Sequence, residues 1–181
     1  MCIRDRASIV IIIALTALVL GYYLAAFRPY QAAVQRAISD NPIEYSESTE
    51  LLYKLVQSER NGKAMLTWVS KSLMFDHFPQ QRAIMHHIHH WAWQQFLDIS
   101  YTDREIFELW ASVYWTYDEN GSILRGVKRA SEEIYGKDIE NLDEEAIAGL
   151  VVQIRAPSIY IKRHDKLKAD TRKLLEQFYN R

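Results

Sequence analysis

An uncharged run of 21 residues near the start of the chain, Ala7–Phe27, most constrains how this protein can fold. The run is rich in Ile, Leu, Val and Ala, and roughly 20 such residues are enough for a helix to cross a bilayer. We therefore assign residues 7–27 as a transmembrane anchor. A cleaved signal peptide is the alternative, although Leu24 and Ala26 make a poor pair for a cleavage site.

The residues on either side of this run do not determine its orientation in a membrane. Residues 1–6 resemble translated adaptor sequence, so we assign them as an artefactual leader. Arg4 and Arg6 on one side are matched by Arg28 and Arg36 on the other, so the distribution of positive charge does not fix the orientation of the helix in a membrane.

Composition limits the number of domains, the kinds of partner and the disulfides that this chain can have. A chain of 181 residues with 49% apolar content can hold one domain beside the anchor. Its 22 basic and 23 acidic side chains nearly balance, so no nucleic-acid partner is expected. Cys2 is the single cysteine, which excludes an intrachain disulfide.

Signals for helix ends are densest between Tyr101 and Tyr160. Thr102 followed by Glu105 forms a capping box, so a helix is predicted from there to about Trp115. The core face of this helix would carry four apolar residues, Ile106, Leu109, Trp110 and Val113.

Two more helices are predicted in the same stretch. After a turn at Asp118–Gly121, apolar residues from Ile123 onward recur at helical spacing until Gly136 supplies a left-handed cap. A third helix opens at Leu142–Glu145 and is ended by Ala156–Ser158.

Helical periodicity also extends outside this stretch. It predicts four further segments, which are Ser48–Glu59, a helix carrying Met65 to Met74, a long helix over Gln80–Ile99, and a C-terminal helix over His164–Arg181. A short amphipathic segment, Tyr30–Ser39, follows the anchor. The fold class predicted from these patterns is mainly α.

This order of residues resembles the family 51 glycosyltransferases, which polymerise lipid II into peptidoglycan strands. Thr102–Trp110 is similar to that family's Ser-Lys-x-Glu-Ile-Leu-Glu-x-Tyr motif. Further matches follow the family's order and spacing at Gly126, Ala130, Tyr135–Lys137, Leu142, Glu145–Ala146, Ala148–Leu150 and Ala156–Tyr160. The resemblance implies a lysozyme-like helical domain over residues 31–181 on one transmembrane helix.

The family's first catalytic motif, Ala-Ile-Glu-Asp, falls on residues 37–40, where Ser39 replaces the glutamate. In the family this glutamate deprotonates the acceptor sugar, and serine cannot take up a proton at neutral pH. A shifted register offers Glu44, but it leaves the family's following Phe and His without counterparts. The resemblance therefore implies loss of the usual base, with Asp40 or Glu44 as candidate replacements.

Three charged residues match other functional positions of the family. Lys71 falls where a lysine lies beside the donor pyrophosphate, although the neighbouring Ser-Thr and Gln-Gln pairs are replaced by Lys63-Ala64 and Thr67-Trp68. Arg82 falls where a phosphate-binding arginine is expected, and Glu105 falls at the second functional glutamate. For Lys71, a solvated surface lysine is the alternative.

The segment His86–His90 contains four histidines. His86 and His90 are four residues apart and share a helix face, so both imidazoles could bind one metal ion. Two ligands do not make a site, and Asp76, His77 or Asp98 would have to complete it. Polar surface histidines are the alternative.

Taken with the resemblance, these residues imply a protein of the bacterial inner (cytoplasmic) membrane whose domain faces the periplasm or cell exterior. Its substrate would be lipid II or another undecaprenyl-pyrophosphate sugar, with a divalent cation as candidate cofactor and cell-wall synthesis proteins as candidate partners. Two hypotheses stay open. One is a glycosyltransferase with an unrecognised base, and the other is a pseudoenzyme that binds lipid-linked intermediates or a partner protein without catalysis.

Overall fold

The computed structural model describes residues 3–40, 42–59, 63–77 and 83–180. Within these ranges the chain is about 80% helical, which confirms the predicted fold class. The helices are α1 (Ile3–Tyr22), α2 (Gln31–Asp40), α3 (Glu47–Ser58), α4 (Lys63–His77), α5 (Ala83–Ser100), α6 (Asp103–Val113), α7 (Val127–Tyr135), α8 (Glu144–Gln153), α9 (Pro157–Tyr160) and α10 (His164–Tyr179). Two strands, β1 (Trp115–Tyr117) and β2 (Ile123–Arg125), pair antiparallel.

The chain divides into two compact units, one up to Arg36 and one from Ala37 onward. The first unit contains α1, which a π-helical turn, Tyr23–Phe27, and a 3₁₀ turn, Arg28–Tyr30, connect to α2. The described helical stretch Ser8–Ser39 contains an 18-residue segment with a mean hydropathy of 2.5 and is long and apolar enough to cross a membrane. The prediction of one such N-terminal helix is confirmed, and a signal sequence can also meet this criterion of length and composition.

The second unit is built around α8, which packs against α3, α7 and α10. Its residues Ile147 to Gln153 are all buried, as expected for a helix that is apolar on every face. Tyr114 lies fully buried beside this helix and donates a hydrogen bond from its hydroxyl to the Leu150 carbonyl at 3.1 Å. Burial of the polar phenol is thereby compensated.

Helix α4 packs against α5 and α6 in the same unit. Met65, Val69 and Leu73 supply its buried face, and Trp93 and Leu97 of α5 are fully buried. These positions recur every three to four residues, so each helix turns one apolar stripe toward the core.

Predicted helix ends agree with the structure where a side chain makes the cap. The Thr102–Glu105 capping box begins α6, and the Asp143 carboxylate accepts a hydrogen bond from the Ala146 amide to begin α8. Gly136 ends α7 in the left-handed conformation, with φ of 66°. Of the predicted core face of α6, Ile106, Leu109 and Trp110 are buried while Val113 is only half-buried.

The second predicted helix is wrong at its beginning, because residues from Ile123 to Arg125 form β2 of a hairpin. The Asp118–Gly121 turn closes this hairpin, in which Tyr117 pairs with Ile123. Helix α7 begins only after Gly126, whose φ of 85° suits glycine and turns the chain out of the strand.

Other boundaries shift by a few residues. Helix α6 ends at Val113 rather than Trp115, because Trp115 enters β1. Helix α8 ends at Gln153, and Pro157 begins the short α9 instead of only ending the preceding helix. This position suits proline, which has no amide hydrogen to leave unpaired in a first helical turn.

Candidate functional site

Glu105 lies in the first turn of α6, where it completes the capping box whose N-cap residue is Thr102. Its Oε2 accepts hydrogen bonds from the backbone nitrogen and the hydroxyl of Thr102, each at 2.8 Å. These hydrogen bonds hold the pKa of the Glu105 carboxyl below its ordinary value. The side chain is exposed and fully ionised at neutral pH, so its chemistry is that of an anion rather than a proton donor.

The candidate bases lie at and after the end of α2. Ser39 is exposed on this helix, and Asp40 ends it, with a side chain outside the described residues. Glu44 lies in the following loop and lines a cavity of about 650 Å³ that also contains Arg125 and Lys128. Nothing described places Glu44 and Glu105 in one cavity.

Lys71 lies on α4 at the edge of a different cavity, of about 530 Å³. Its ammonium is 5.8 Å from the ring centroid of Trp68, close enough for a cation–π interaction. Arg82, the other predicted pyrophosphate ligand, lies outside the described residues.

Arg155 lies in the same cavity as Lys71 and was not a sequence-based candidate. Its guanidinium forms an ion pair with Glu59, and burial lowers its pKa below the ordinary value. Arg155 is far from Lys71 along the chain and follows α8 without a recognisable motif, so no local pattern marked it. The cavity thus contains two cations and one carboxylate among its described lining residues.

His90 connects α5 to α4 close to this cavity. Its Nε2 is 3.3 Å from the Thr67 carbonyl oxygen and 3.2 Å from Nε2 of Gln94. Burial lowers the pKa of His90, and the charges of Lys71 and His86 lower it further. His90 is therefore predominantly neutral at pH 7 and able to accept or donate a hydrogen bond.

The two histidines proposed as metal ligands lie together, and no described residue supplies a third ligand. The rings of His86 and His90 stack with their centroids 6.4 Å apart. The described residues contain no group of three His, Cys, Asp or Glu side chains suited to a metal ion. Asp98 is exposed, and the side chains of Asp76 and His77 are outside the described part of the chain. The described donors alone do not fit a divalent cation.

The structure thus groups some predicted residues and separates others. The charge of Lys71 contributes to lowering the pKa of His90, and Arg155 joins Lys71 in one cavity. Among the described residues, Glu44 lines a second cavity, and Glu105 lines neither.

Comparison with known families identifies the family of the chain. The family model described as Transglycosylase matches residues 31–179, which include most of the chain and nearly all of the second unit. No curated protein and no solved structure matches the chain. The match agrees with the resemblance to family 51 glycosyltransferases drawn from the motifs. The chain therefore belongs to the transglycosylase family.

Proposed function

We propose that this protein is a membrane-anchored, peptidoglycan glycosyltransferase-like protein that binds a lipid-linked sugar pyrophosphate such as lipid II. The observation that carries the proposal is the transglycosylase match over residues 31–179, next to a described helix able to span a membrane from Ser8. A ligand with a lipid tail lies in the bilayer, so an anchored domain meets it at the membrane surface.

The cavity of Lys71 is the proposed pyrophosphate site. Lys71 forms no ion pair with the described residues, whereas Arg155 is paired with Glu59. A pyrophosphate would therefore gain most from the Lys71 ammonium, since charge-assisted hydrogen bonds are the stronger ones. Neutral His90 nearby can donate to a phosphate oxygen in one tautomer. Arg82 stays a proposed second cation from the family resemblance.

We further propose that the protein binds this ligand without polymerising it. Ser39 stands where the family has its base, and Glu105 is held as a helix cap with a lowered pKa. Glu44, the substitute base, lines a cavity separate from that of Lys71. A general base contributes about 10²–10⁴-fold in rate, so its loss would abolish useful polymerisation.

The competing function is an active polymerase that uses Asp40 or Glu44 as base. The side chain of Asp40 is outside the described residues, and Glu44 is exposed and ionisable. A polymerase would require that one of these carboxylates reaches the acceptor sugar when lipid II is bound. Replacing Asp40 by Asn and Glu44 by Gln, singly and together, tests both candidates.

The experiment uses the full chain in detergent micelles with lipid II. Binding is followed by fluorescence anisotropy of a labelled lipid II, and strand formation by gel electrophoresis of the products. We expect saturable binding that Lys71→Ala weakens and Lys54→Ala leaves unchanged, with no strands formed. Strand formation that survives Ser39→Ala and is lost in Glu44→Gln or Asp40→Asn would overturn the non-catalytic proposal. Absence of binding would overturn both functions.

The proposed location is the bacterial cytoplasmic membrane, with the second unit facing the periplasm or cell exterior, where lipid-linked sugars are polymerised by this family. Cell-wall synthesis proteins are the proposed partners. Protease digestion of intact spheroplasts tests the orientation, because an outward-facing domain is cut while a cytoplasmic one is protected. Protection in intact spheroplasts and cleavage after lysis would reverse the proposed topology.

A further inference from the structure

Exposed apolar side chains are concentrated on one helix of the second unit. Among the described residues of this unit, eight large apolar side chains are exposed, and half of them are on α5. We call these four residues the outer face of α5, namely Met85, Ile88, Trp91 and Ile99. The other four are divided among a loop, β2, α9 and α10. Clustered exposed apolar surface marks a site of interaction.

The outer face is a stripe along one side of the helix. Successive residues of an α-helix are about 100° apart, so the four side chains fall within about one third of its circumference. Trp93 and Leu97 lie on the opposite side and are fully buried in the core. Helix α5 therefore has one apolar side inside the protein and another outside it, whereas packing on the core requires only the first.

The sequence of α5 also lacks charge. Between Ala83 and Leu97 it contains no Asp, Glu, Lys or Arg, and its polar residues there are four histidines and two glutamines. Histidine is predominantly uncharged at neutral pH. Helix α10, by contrast, has seven Asp, Glu, Lys or Arg residues among its 16. A helix side that meets water normally carries charges of this kind, so the outer face of α5 has the composition of a covered surface.

The chain itself keeps a bilayer close to this face. The apolar run of the proposed anchor ends at Phe27, and the second unit begins at Ala37, ten residues later. Ten residues span at most about 35 Å even when fully extended. The second unit therefore stays within that reach of the lipid surface in any orientation. To this extent the inference rests on the anchoring part of the proposed function.

The side chains of the outer face suit the boundary between lipid and water. Trp91 is 65% exposed, and tryptophan is enriched at this boundary because its ring is apolar while its indole N–H can bind polar headgroups. Met85 and Ile88 add purely apolar area. The neighbouring histidines can donate hydrogen bonds to phosphate oxygens, and no carboxylate before Asp98 repels anionic headgroups.

We propose that the outer face of α5 contacts the surface of the lipid bilayer that holds the anchor. The helix lies along the boundary between lipid and water with its stripe toward the acyl chains, as amphipathic interfacial helices do. The protein thus has a second membrane contact besides the spanning helix, and this contact holds the second unit against the bilayer.

Site-directed fluorescence quenching of the full chain in nanodiscs tests the proposal. Ile88→Cys in a Cys2→Ser background gives one labelling site for bimane, because Cys2 is the single cysteine. The discs contain phosphatidylcholine and phosphatidylglycerol, with or without a nitroxide on the acyl chains. We expect the nitroxide lipid to remove most of the bimane emission at residue 88, while iodide in the water has little effect. Glu176→Cys, at an exposed position of the charged α10, is the matched control and should show the reverse pattern.

The two quenchers distinguish the possible occupants of the face. Quenching at residue 88 by iodide and not by the nitroxide lipid would show a face open to water and overturn the proposal. Protection from both quenchers would place protein, such as a second copy of the chain, over the face and overturn it as well. A chain that does not co-elute with nanodiscs would overturn the anchor together with this contact. A co-eluting chain with a water-exposed residue 88 would overturn the contact alone.

Trp91 gives a second measurement that introduces no cysteine. Trp93 and Trp110 are buried, and Trp68 and Trp115 are half-buried. Brominated lipid should therefore quench the tryptophan emission of the unmodified chain more than that of Trp91→Phe. The substitution should leave the melting temperature in detergent unchanged, because the replaced side chain is mostly outside the core. Equal quenching of the two chains would contradict a lipid contact at this face.

Discussion

The carboxylate of Glu105 accepts two hydrogen bonds from Thr102, both at 2.8 Å, and thereby begins α6. The family resemblance assigns this position to a functional glutamate, and in the structure the same side chain stabilises a helix end. The two roles are compatible only if the carboxylate can leave Thr102 when a ligand binds. Variants at this pair distinguish the structural role from the functional one.

Thr102→Ala should lower the free energy of unfolding by about 0.5–2 kcal/mol, as loss of an N-cap usually does. Glu105→Gln should cost little at neutral pH, because glutamine also occurs at this position of capping boxes. Urea denaturation of the detergent-solubilised chain measures both. A loss of lipid II binding in Glu105→Gln without a loss of stability would show that Glu105 acts on the ligand.

The hydrogen bonds between Thr102 and Glu105 predict that the free energy of unfolding depends on pH. The pKa of Glu105 in the folded protein lies below the ordinary value of a glutamate. At pH values above that ordinary value, the capping hydrogen bonds make their full contribution to the free energy of unfolding. It is lost as the pH falls through the lowered folded-state pKa. Urea denaturation at several acidic pH values should therefore show a smaller acid-induced loss of stability in Glu105→Gln than in the unmodified chain. Glu176→Gln is the control and should keep the full dependence.

Lys71→Ala should weaken binding of a lipid pyrophosphate by about tenfold, and removal of Arg82 as well should weaken it further. Lys54 is a suitable control, because it is also an exposed helical lysine but pairs with Glu50 at 3.8 Å outside the proposed site. Equal affinities of Lys71→Ala and Lys54→Ala would make Lys71 an ordinary surface lysine.

Arg104 should contribute more to stability than other surface cations. It pairs with Glu50 at 2.9 Å, and its guanidinium lies 4.3 Å from the Tyr45 ring centroid and 4.9 Å from that of Tyr53. Arg104→Lys should cost about 1–2 kcal/mol, because an ammonium does not stack on aromatic rings as a guanidinium does. Lys54→Ala, which removes the more exposed partner of Glu50, should cost at most about 0.5 kcal/mol. If Arg104→Lys and Lys54→Ala lowered the free energy of unfolding equally, the Tyr45 and Tyr53 rings would add nothing to the contribution of Arg104.

Substitutions at Gly149 and Tyr135 should have coupled effects on the free energy of unfolding. Gly149→Ala places a methyl group 2.4 Å from the Tyr135 hydroxyl, which should cost about 1–3 kcal/mol despite the better helix propensity of alanine. In a Tyr135→Phe background the nearest ring atom is 3.6 Å away, so the same change should be neutral or stabilising by up to about 1 kcal/mol. Additive effects in a double-mutant cycle would contradict this contact.

The apolar helix should keep the full chain in the membrane fraction after a carbonate wash, because Ser8 to Phe27 contains no charge to oppose burial in lipid. Recovery of a shortened form outside the membrane fraction would identify the segment as a cleaved signal. Replacing Ile12 and Leu18 by lysine is a matched disruption that should release the protein, since each charge at mid-membrane costs several kcal/mol.

Features set by neighbouring residues could be predicted from the sequence. The cap formed by Thr102, the cap formed by Asp143 and the left-handed Gly136 each depend on contacts within one turn of helix. The Ser46–Thr49 capping box at the start of α3 was missed, because threonine takes the place of the usual Glu or Gln.

Features that depend on distant contacts could not be predicted. The helical spacing of Ile123 and Val127 predicts a helix through β2, and only pairing with Trp115–Tyr117 makes Ile123 a strand residue. A cavity of about 450 Å³ combines the hairpin turn with three helices, so the carboxylates that line it show no spacing along the chain. Arg155 likewise reaches the cavity of Lys71 only through the packing of α8.

The packing of α3 on α8 determines when the second unit can fold during synthesis. Leu52 and Leu55 of α3 are fully buried, and Ser48 donates a hydrogen bond to the Glu140 carbonyl, 92 residues further along the chain. At ribosomal rates of about 5–20 residues per second, α8 emerges roughly 5–20 s after α3. During this interval the face of α3 that packs on α8 lacks that partner, so a chaperone that shields nascent chains should increase the yield of folded protein.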